Sequence, residues 1–418
     1  MRILSEDKTV LDAIAERGGA IVSRAVDWCA INSGSRHLDG LERQRAVLED
    51  ALKSLPATVE RKPLTPSLEI ADDGSERRQT HPDALYVEVR PHAPVQVVLT
   101  GHYDTVYPAS SPFQIVRRRD DGALWGPGVA DMKGGISVML AALESFERHA
   151  AKDNVGYRVL LSPDEEIGSL ASAPYLAELG ALGHVGLTYE PALSDGTMAG
   201  ARKGSGNFHI AVKGKAAHAG RDFASGRNAV VGAATIVARL SELNGQREGV
   251  TVNVAAVAGG SPLNVVPENA VVRFNVRVPD AASAQWVQDA VDRIVSASVG
   301  LHDLRVSLHG GFTRPAKPLD AAQTQLIGAV EETAGLLGQA IQFKPSGGVC
   351  EGNNLYAAGL PNVDTLGVRG GDIHSENEFA WPQSFVERAQ LSALILMKLA
   401  SGEIDAPALK ALRLKEAA

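Results

Sequence analysis

Hydrophobic positions change period several times along this chain, and each change marks a new element. Residues 10 to 54 place apolar side chains three and four apart in "VLDAIAERGGAIVSRAVDWCAI" and "LDGLERQRAVLEDALKSL". That spacing predicts helices, with "NSGSRHLDG" as the loop between them. From 82 to 101 the pattern predicts two strands joined at a Pro-containing turn, the second so apolar that both of its faces must be buried. "GPGVADMKGGISVMLAALESF" then reads as a glycine-rich loop opening a long apolar helix. "YRVLLS" is a buried strand, followed by the acids Asp164, Glu165 and Glu166, then Gly168 and the helical "LASAPYLAELG". "HVGLTYEPA" adds a short strand that ends on Glu190.

The texture changes near residue 205. "GSGNFHIAVKGKAAHAG", "VTVNVAAVAGG", "NAVVRFNVRVPD" and "LRVSLHGG" alternate as strands, and helical patterns run over 226–243 and 281–298. That order predicts a four-stranded antiparallel sheet with two helices on one face. After Pro315 helix and strand alternate again: the helical "AAQTQLIGAVEETAGLLG", strand-like "QAIQFKP" and "NVDTLGV", and a last helix near 382–400. The expected class is α/β. A discontinuous catalytic domain, 1–204 and 314–418, has a mixed, mostly parallel sheet flanked by helices, and residues 205–313 form an inserted α+β domain. No internal repeat interrupts this reading.

Bulk properties narrow the functions. The chain has 418 residues, a formal net charge of -8, and 44% hydrophobic against 22% charged residues, the balance of a globular protein large enough for two domains. No basic run exceeds the three arginines at 117–119, so no nucleic-acid footprint is expected. The start "MRILSEDK" is too broken by polar residues to read as a targeting segment, and no apolar run reaches the roughly 18 residues of a membrane span, so a cytoplasmic location is expected. Two cysteines, Cys29 and Cys350, exclude a thiolate-built zinc site. A metal site here must use imidazoles and carboxylates.

The acidic triplet raises that question directly. In open α/β sheets ligands collect beyond the carboxyl ends of strands, and three acids placed there repel one another unless a cation or proton is shared. "GHYDTV" places His102 and Asp104 two residues apart after a buried strand, on one face if the chain stays extended, where Asp104 can orient the imidazole. Asp131 lies among glycines just before a helix, either as its cap or as a carboxylate able to bridge two cations. Glu190 ends a strand, and His374 lies in the glycine-bordered "GGDIHSENEF". His102, Asp131, Glu166, Glu190 and His374 supply the ligand count for two zinc ions sharing one carboxylate.

The stretches "GHYDTV", "GPGVADMKGG", "SPDEEIGS", "TYEPA", "GKAAHAG" and "GGDIHSENE" occur in one order over residues 100 to 378. On them the chain resembles the co-catalytic di-zinc amidohydrolases that include glutamate carboxypeptidase, aminoacylase, acetylornithine deacetylase and succinyl-diaminopimelate desuccinylase, with the glutamate carboxypeptidase branch nearest. The resemblance implies that two Zn2+ are held per subunit, with Co2+ or Mn2+ as possible substitutes: His102 and Glu190 on one, Glu166 and His374 on the other, Asp131 between them. It makes Asp104 the partner of His102 and Glu165 the general base acting on a zinc-bridging water. It also implies a homodimer, in which His218 of "GKAAHAG" reaches the partner's site, and an inserted domain that serves as lid and dimer contact.

Asn264 and Arg277 stand where the resemblance places substrate-holding groups, the guanidinium matching a carboxylate. Where relatives carry a glycine pair followed by Ser or Thr and then Asp, this chain has "SGGVCEGNN". Gly347 and Gly348 are expected to meet substrate through their backbone, while Cys350 and Glu351 reshape the pocket. No histidine neighbours Cys350 in sequence, which argues against a covalent mechanism. The implied reaction is hydrolysis of an amide next to a free carboxylate, on a small or peptide-like substrate. The alternatives are hydrolysis of a carbamoyl or other non-peptide amide, and a metal-binding relative without activity.

Overall fold

A computed structural model describes residues 1–299 and 303–417. Its larger sheet has six strands in the order Val59–Lys62, Ala84–Val89, Val155–Ser162, Val95–His102, Val185–Thr188 and Asn362–Val363. The first two pairings are antiparallel, and the remaining three are parallel. The α/β class read from the pattern is therefore the one observed. Every residue of Val155–Ser162 is buried, as is nearly all of Val95–His102, which explains their unbroken apolar runs.

The parallel register matters for chemistry. His102 stands opposite Ser162, and Thr100 opposite Thr188, whose hydroxyls are 2.8 Å apart. Three neighbouring strands thus end level, and the residues after each emerge at one edge of the sheet.

The helix Lys133–Phe146 is buried on nearly all sides, between this sheet and the helices Gly18–Cys29 and Gln383–Ala400. Its two leading glycines serve that packing. A Cβ on Gly134 would stand 2.3 Å from the Val129 carbonyl oxygen, and one on Gly135 would stand 2.0 Å from that of Tyr189. The N-terminal helical stretch divides at Arg17 into Ser5–Glu16 and Gly18–Cys29. Of the expected strand 362–368, only Asn362 and Val363 pair in the sheet.

Residues 204 to 314 build a separate antiparallel sheet in the order Thr251–Gly259, Asn269–Val278, Gly204–Lys213 and Arg305–Arg314. Helices Ala229–Ser241 and Ala281–Val299 pack on one face over a core that includes Phe208, Ile210, Val272 and Val291. The other face carries Ala211, Val271 and Arg273. A hairpin that the pattern does not announce, Ser67–Ile70 and Glu76–Gln79, reaches across to it. There Ile70 packs on Ala211 and Val271, and Arg273 donates to the Ile70 carbonyl at 2.8 Å.

The two chain crossings into this unit are locked together. Arg202 and Lys317 exchange backbone hydrogen bonds at 2.8 and 2.9 Å. Both side chains end on buried Asp364, Arg202 through Nε (2.7 Å) and Nη2 (3.0 Å), Lys317 through Nζ (2.5 Å). Removing the shared carboxylate leaves two buried cations without a counter-charge, a loss of about 3–5 kcal/mol. Asp364→Asn is therefore expected to lower the urea midpoint by that equivalent, and an unchanged midpoint would show the cage to be inert.

Candidate active site

The level strand ends place the predicted residues together. His102 closes its strand; Pro163 to Gly168 form the loop after the next; Glu190 follows the third. Asp131 and His374 arrive from the loops before the helix Lys133–Phe146 and after the short strand Arg369–Gly371. The helix begins without a side-chain cap, so Asp131 is not its N-cap. Its carboxylate instead divides between two groups. Oδ1 lies 3.1 Å from His102 Nε2, and Oδ2 lies 3.2 Å from His374 Nε2.

Glu190 Oε1 is 3.9 Å from the same His102 nitrogen, and Glu166 Oε2 is 3.2 Å from the same His374 nitrogen. Two triads result, His102–Asp131–Glu190 and Asp131–Glu166–His374, with one donor atom from each member within 4.8 Å of the others. Oε1 of Glu166 and Oε1 of Glu190 are buried without a hydrogen-bond partner. An unpaired buried carboxylate oxygen is costly, and imidazole nitrogen with carboxylate oxygen is the donor set of a zinc-type cation. The residues present fit two such ions.

Crowding also shows in the proton equilibria. Burial first, and then the charge of Asp131, pushes Glu166 up to about 8. Burial likewise brings Glu190 up to about 7. Burial opposes the ionised form of Asp131 too, yet hydrogen bonds with His102 and His374 hold it below the usual carboxylate range. His374, bonded to Asp131 and Glu166, is raised to about 11. Without cations, the cluster balances its carboxylates with protons.

Asp104 sits directly behind. Its carboxylate accepts the backbone N–H groups of Glu165 (3.2 Å) and Glu166 (3.1 Å) and the Ser35 hydroxyl (2.8 Å). Its carbonyl and Oδ1 lie 3.1 and 3.3 Å from His102 Nδ1. One side chain thus orients both the imidazole and the acidic loop.

Glu165 lines the same cavity of 620 Å³, with Arg277 and Gly348. Arg314 Nη2 donates to Glu165 Oε1 at 2.5 Å and to its carbonyl at 3.0 Å, while Nη1 donates to Asn354 Oδ1 at 2.8 Å. Sequence reading passed over Arg314, which ends the last strand of the smaller sheet; an arginine closing an alternating strand carries no signal of its own. Arg277 donates through Nε to Asn275 Oδ1 (3.0 Å), and its buried Nη1 has no partner.

Other expected residues lie elsewhere. His218 and Asn264 are exposed and outside the cavity, in adjacent loops of the smaller unit joined by an Ala219-to-Asn264 backbone hydrogen bond of 2.9 Å. His218 Nδ1 accepts the N–H groups of Gly220 (3.1 Å) and Arg221 (3.2 Å), so in the neutral ring the proton is on Nε2. Gly347 is exposed and does not line the cavity. Glu351 corrects the expectation that it reshapes the pocket: it is fully buried outside the lining and accepts from Ser162 Oγ at 2.5 Å. Cys350 does line the cavity, and burial pushes its thiol well up, which disfavours the thiolate a nucleophile needs.

Known proteins share this framework. Carboxypeptidase G2 from a Pseudomonas species is 25% identical over 95% of this chain and 93% of its own length. Succinyl-diaminopimelate desuccinylase 1 of Alteromonas mediterranea is 30% identical over 68% of this chain and 77% of its own. The metallo-carboxypeptidase Sso-CP2 of Sulfolobus solfataricus, 16% identical, superimposes with a TM-score of 0.69 over 90% of this chain and 98% of that one. No helix among the described residues is long and apolar enough to cross a membrane. The family model for peptidase family M20/M25/M40 matches residues 98–398, a span that contains both triads and Glu165, and the chain belongs to that family of metal-dependent hydrolases.

Proposed function

We propose that this protein hydrolyses an amide bond next to a free carboxylate, as a carboxypeptidase or N-acyl amino acid deacylase. The observation that carries the reading is a single cavity lined by Asp131, Glu166, Glu190, His374, Glu165 and Arg277, with His102 bonded to Asp131 behind the lining and Arg277 Nη1 unpaired. His102 and Glu190 would hold one cation, Glu166 and His374 the other, with one oxygen of Asp131 toward each. Two zinc ions held in those places would supply the Lewis acidity that polarises an amide carbonyl and lowers the pKa of a bound water. The chain's own groups do the rest.

Glu165, with one carboxylate oxygen engaged by Arg314, takes the proton of the attacking water and passes it to the departing amine. Arg277 binds the substrate carboxylate through its free Nη1, and the backbone of Gly348, which lines the cavity as Gly347 does not, borders the substrate. The oxyanion is met by the partner subunit's His218, whose Nε2 carries a proton to donate, with Asn264 beside it. The dimer that this requires would form along the edge strand Thr251–Gly259. Val257 on that strand is 53% exposed, and Leu263 and Phe223 in the nearby loops are 104% and 65% exposed. Residues 1–204 and 314–418 act as the catalytic domain, 205–313 as lid and dimer contact, in a cytoplasmic homodimer.

Purified chain is expected to hold two zinc or cobalt ions, and Glu166→Ala fewer; full metal content in that variant would remove Glu166 from the ligand set. Glu165→Gln should keep both metals and lose about a hundred- to ten-thousandfold in kcat on N-acyl amino acids, the scale of general base catalysis. His218→Ala should also keep both metals while activity collapses, so loss of metal in either variant speaks against these roles.

Metal uptake has a pH signature. Glu166, Glu190, His102 and His374 carry raised pKa values, so near pH 7 each is at least partly protonated in the metal-free chain. A bound cation needs them deprotonated, so roughly three protons should leave per chain and affinity should rise from pH 6 to 8. Calorimetric titration in two buffers of different ionisation enthalpy measures this, and identical heats in both would refute it.

A further inference from the structure

The motif that supplies His374 ends on another acid, Glu378, which is fully buried and does not line the cavity. Its oxygens are surrounded by donors from the opposite end of the catalytic framework. Oε1 accepts the N–H groups of Ala130 (2.9 Å) and Asp131 (3.0 Å). Oε2 accepts the N–H of Gly128 (3.1 Å) and lies 2.8 Å from the Tyr107 hydroxyl, which also reaches the Ser375 carbonyl at 2.7 Å. One carboxylate therefore fastens the loop bearing Asp131, and the Tyr107 hydroxyl, whose one proton goes either to this carboxylate or to the Ser375 carbonyl, stands between it and the loop bearing His374.

The His374 loop in particular needs fastening. Asp372 (φ 52°) and His374 (φ 62°) hold left-handed backbone that residues other than glycine adopt at a cost, and such conformations persist where surrounding contacts enforce them. Joining the two backbones does not itself require a buried charge, because the strands Leu124–Trp125 and Phe379–Ala380 already pair. An apolar side chain of similar size would usually serve a core as well or better. What the carboxylate adds is a fixed partner for the N–H of Asp131 itself.

We propose that Glu378 is a positioning residue that sets the Asp131–His374 separation, and with it the Asp131–Glu166–His374 cation site in particular. This rests on the metal reading above. Asp131 belongs to both sites, but His102 and Glu190 are carried by the ends of the large sheet, so the first site keeps two of its three ligands in place when the clasp is lost, whereas the second loses the placement of both Asp131 and His374.

The test titrates cobalt into metal-free wild type, Glu378→Gln and Tyr107→Phe, following stoichiometry by dialysis and the visible cobalt spectrum, with the melting temperature of each metal-free chain alongside. Wild type is expected to bind two equivalents. Glu378→Gln should keep one and bind the second at least about tenfold more weakly, with an altered spectrum, and Tyr107→Phe should shift the same way by less. Two equivalents with wild-type affinity and spectrum in both variants would overturn the proposal whatever the melting temperatures do, because a merely structural clasp changes only those. Equal weakening of both sites would overturn its selectivity. If Glu378→Gln does not fold, Tyr107→Phe decides alone. Fewer than two equivalents in wild type would overturn the metal reading and this proposal with it.

Discussion

Carboxylate crowding is the constraint around which this molecule is organised. Asp131, Glu166 and Glu190 meet at one sheet edge, with Glu165 in the same cavity and Asp104 behind, and little of Asp131, Glu166 or Glu190 is open to water. Like charges at such separations oppose folding unless something compensates them. The chain supplies two imidazoles, and protons on Glu166 and Glu190 relieve the remainder. Such a cluster is poised to exchange protons for divalent cations, because the oxygens that cannot find donors within the protein are also the atoms a cation would take.

Holding this arrangement requires groups that never enter the cavity. Asp104 ties the acidic loop to His102, and Glu378 ties the Asp131 loop to the segment that follows His374. Each accepts backbone N–H groups, so each fixes a main-chain position and leaves the ligand side chain free to turn toward its partners. Arg314 does the equivalent for Glu165 and links it to the end of the smaller sheet. Glu165 and the smaller sheet are consequently joined through the Arg314 guanidinium.

The smaller sheet also depends on its two attachments. At one, Arg202, Lys317 and Asp364 lock the chain crossings. At the other, the hairpin around residues 67–79 lays Ile70 against the sheet face. The polar inner face of that sheet brings Arg277 and Asn275 to the cavity, while His218 and Asn264 remain on its far loops. One chain by itself therefore brings together the triads, Glu165 and Arg277, and leaves His218 facing solvent.

The sequence by itself determined the α/β class, the alternating strands of the smaller sheet and the six residues at the heart of the site. It could do so because buried parallel strands are continuous apolar runs, and because His102, Glu165, Glu166 and Glu190 each follow such a run directly. Asp131 and His374 were legible from their glycine-rich settings. Only the tertiary structure decided what depends on pairing between distant segments. The level ends of three strands come from their register. The partnership of Glu378 with Asp131, Arg314 with Glu165 and Asp364 with Arg202 joins residues more than 140 positions apart. It likewise decided that Glu351 turns inward to Ser162 and that the glycines after Asp131 serve helix packing, because an acid or a glycine looks the same in sequence whether it faces a ligand or a neighbouring strand.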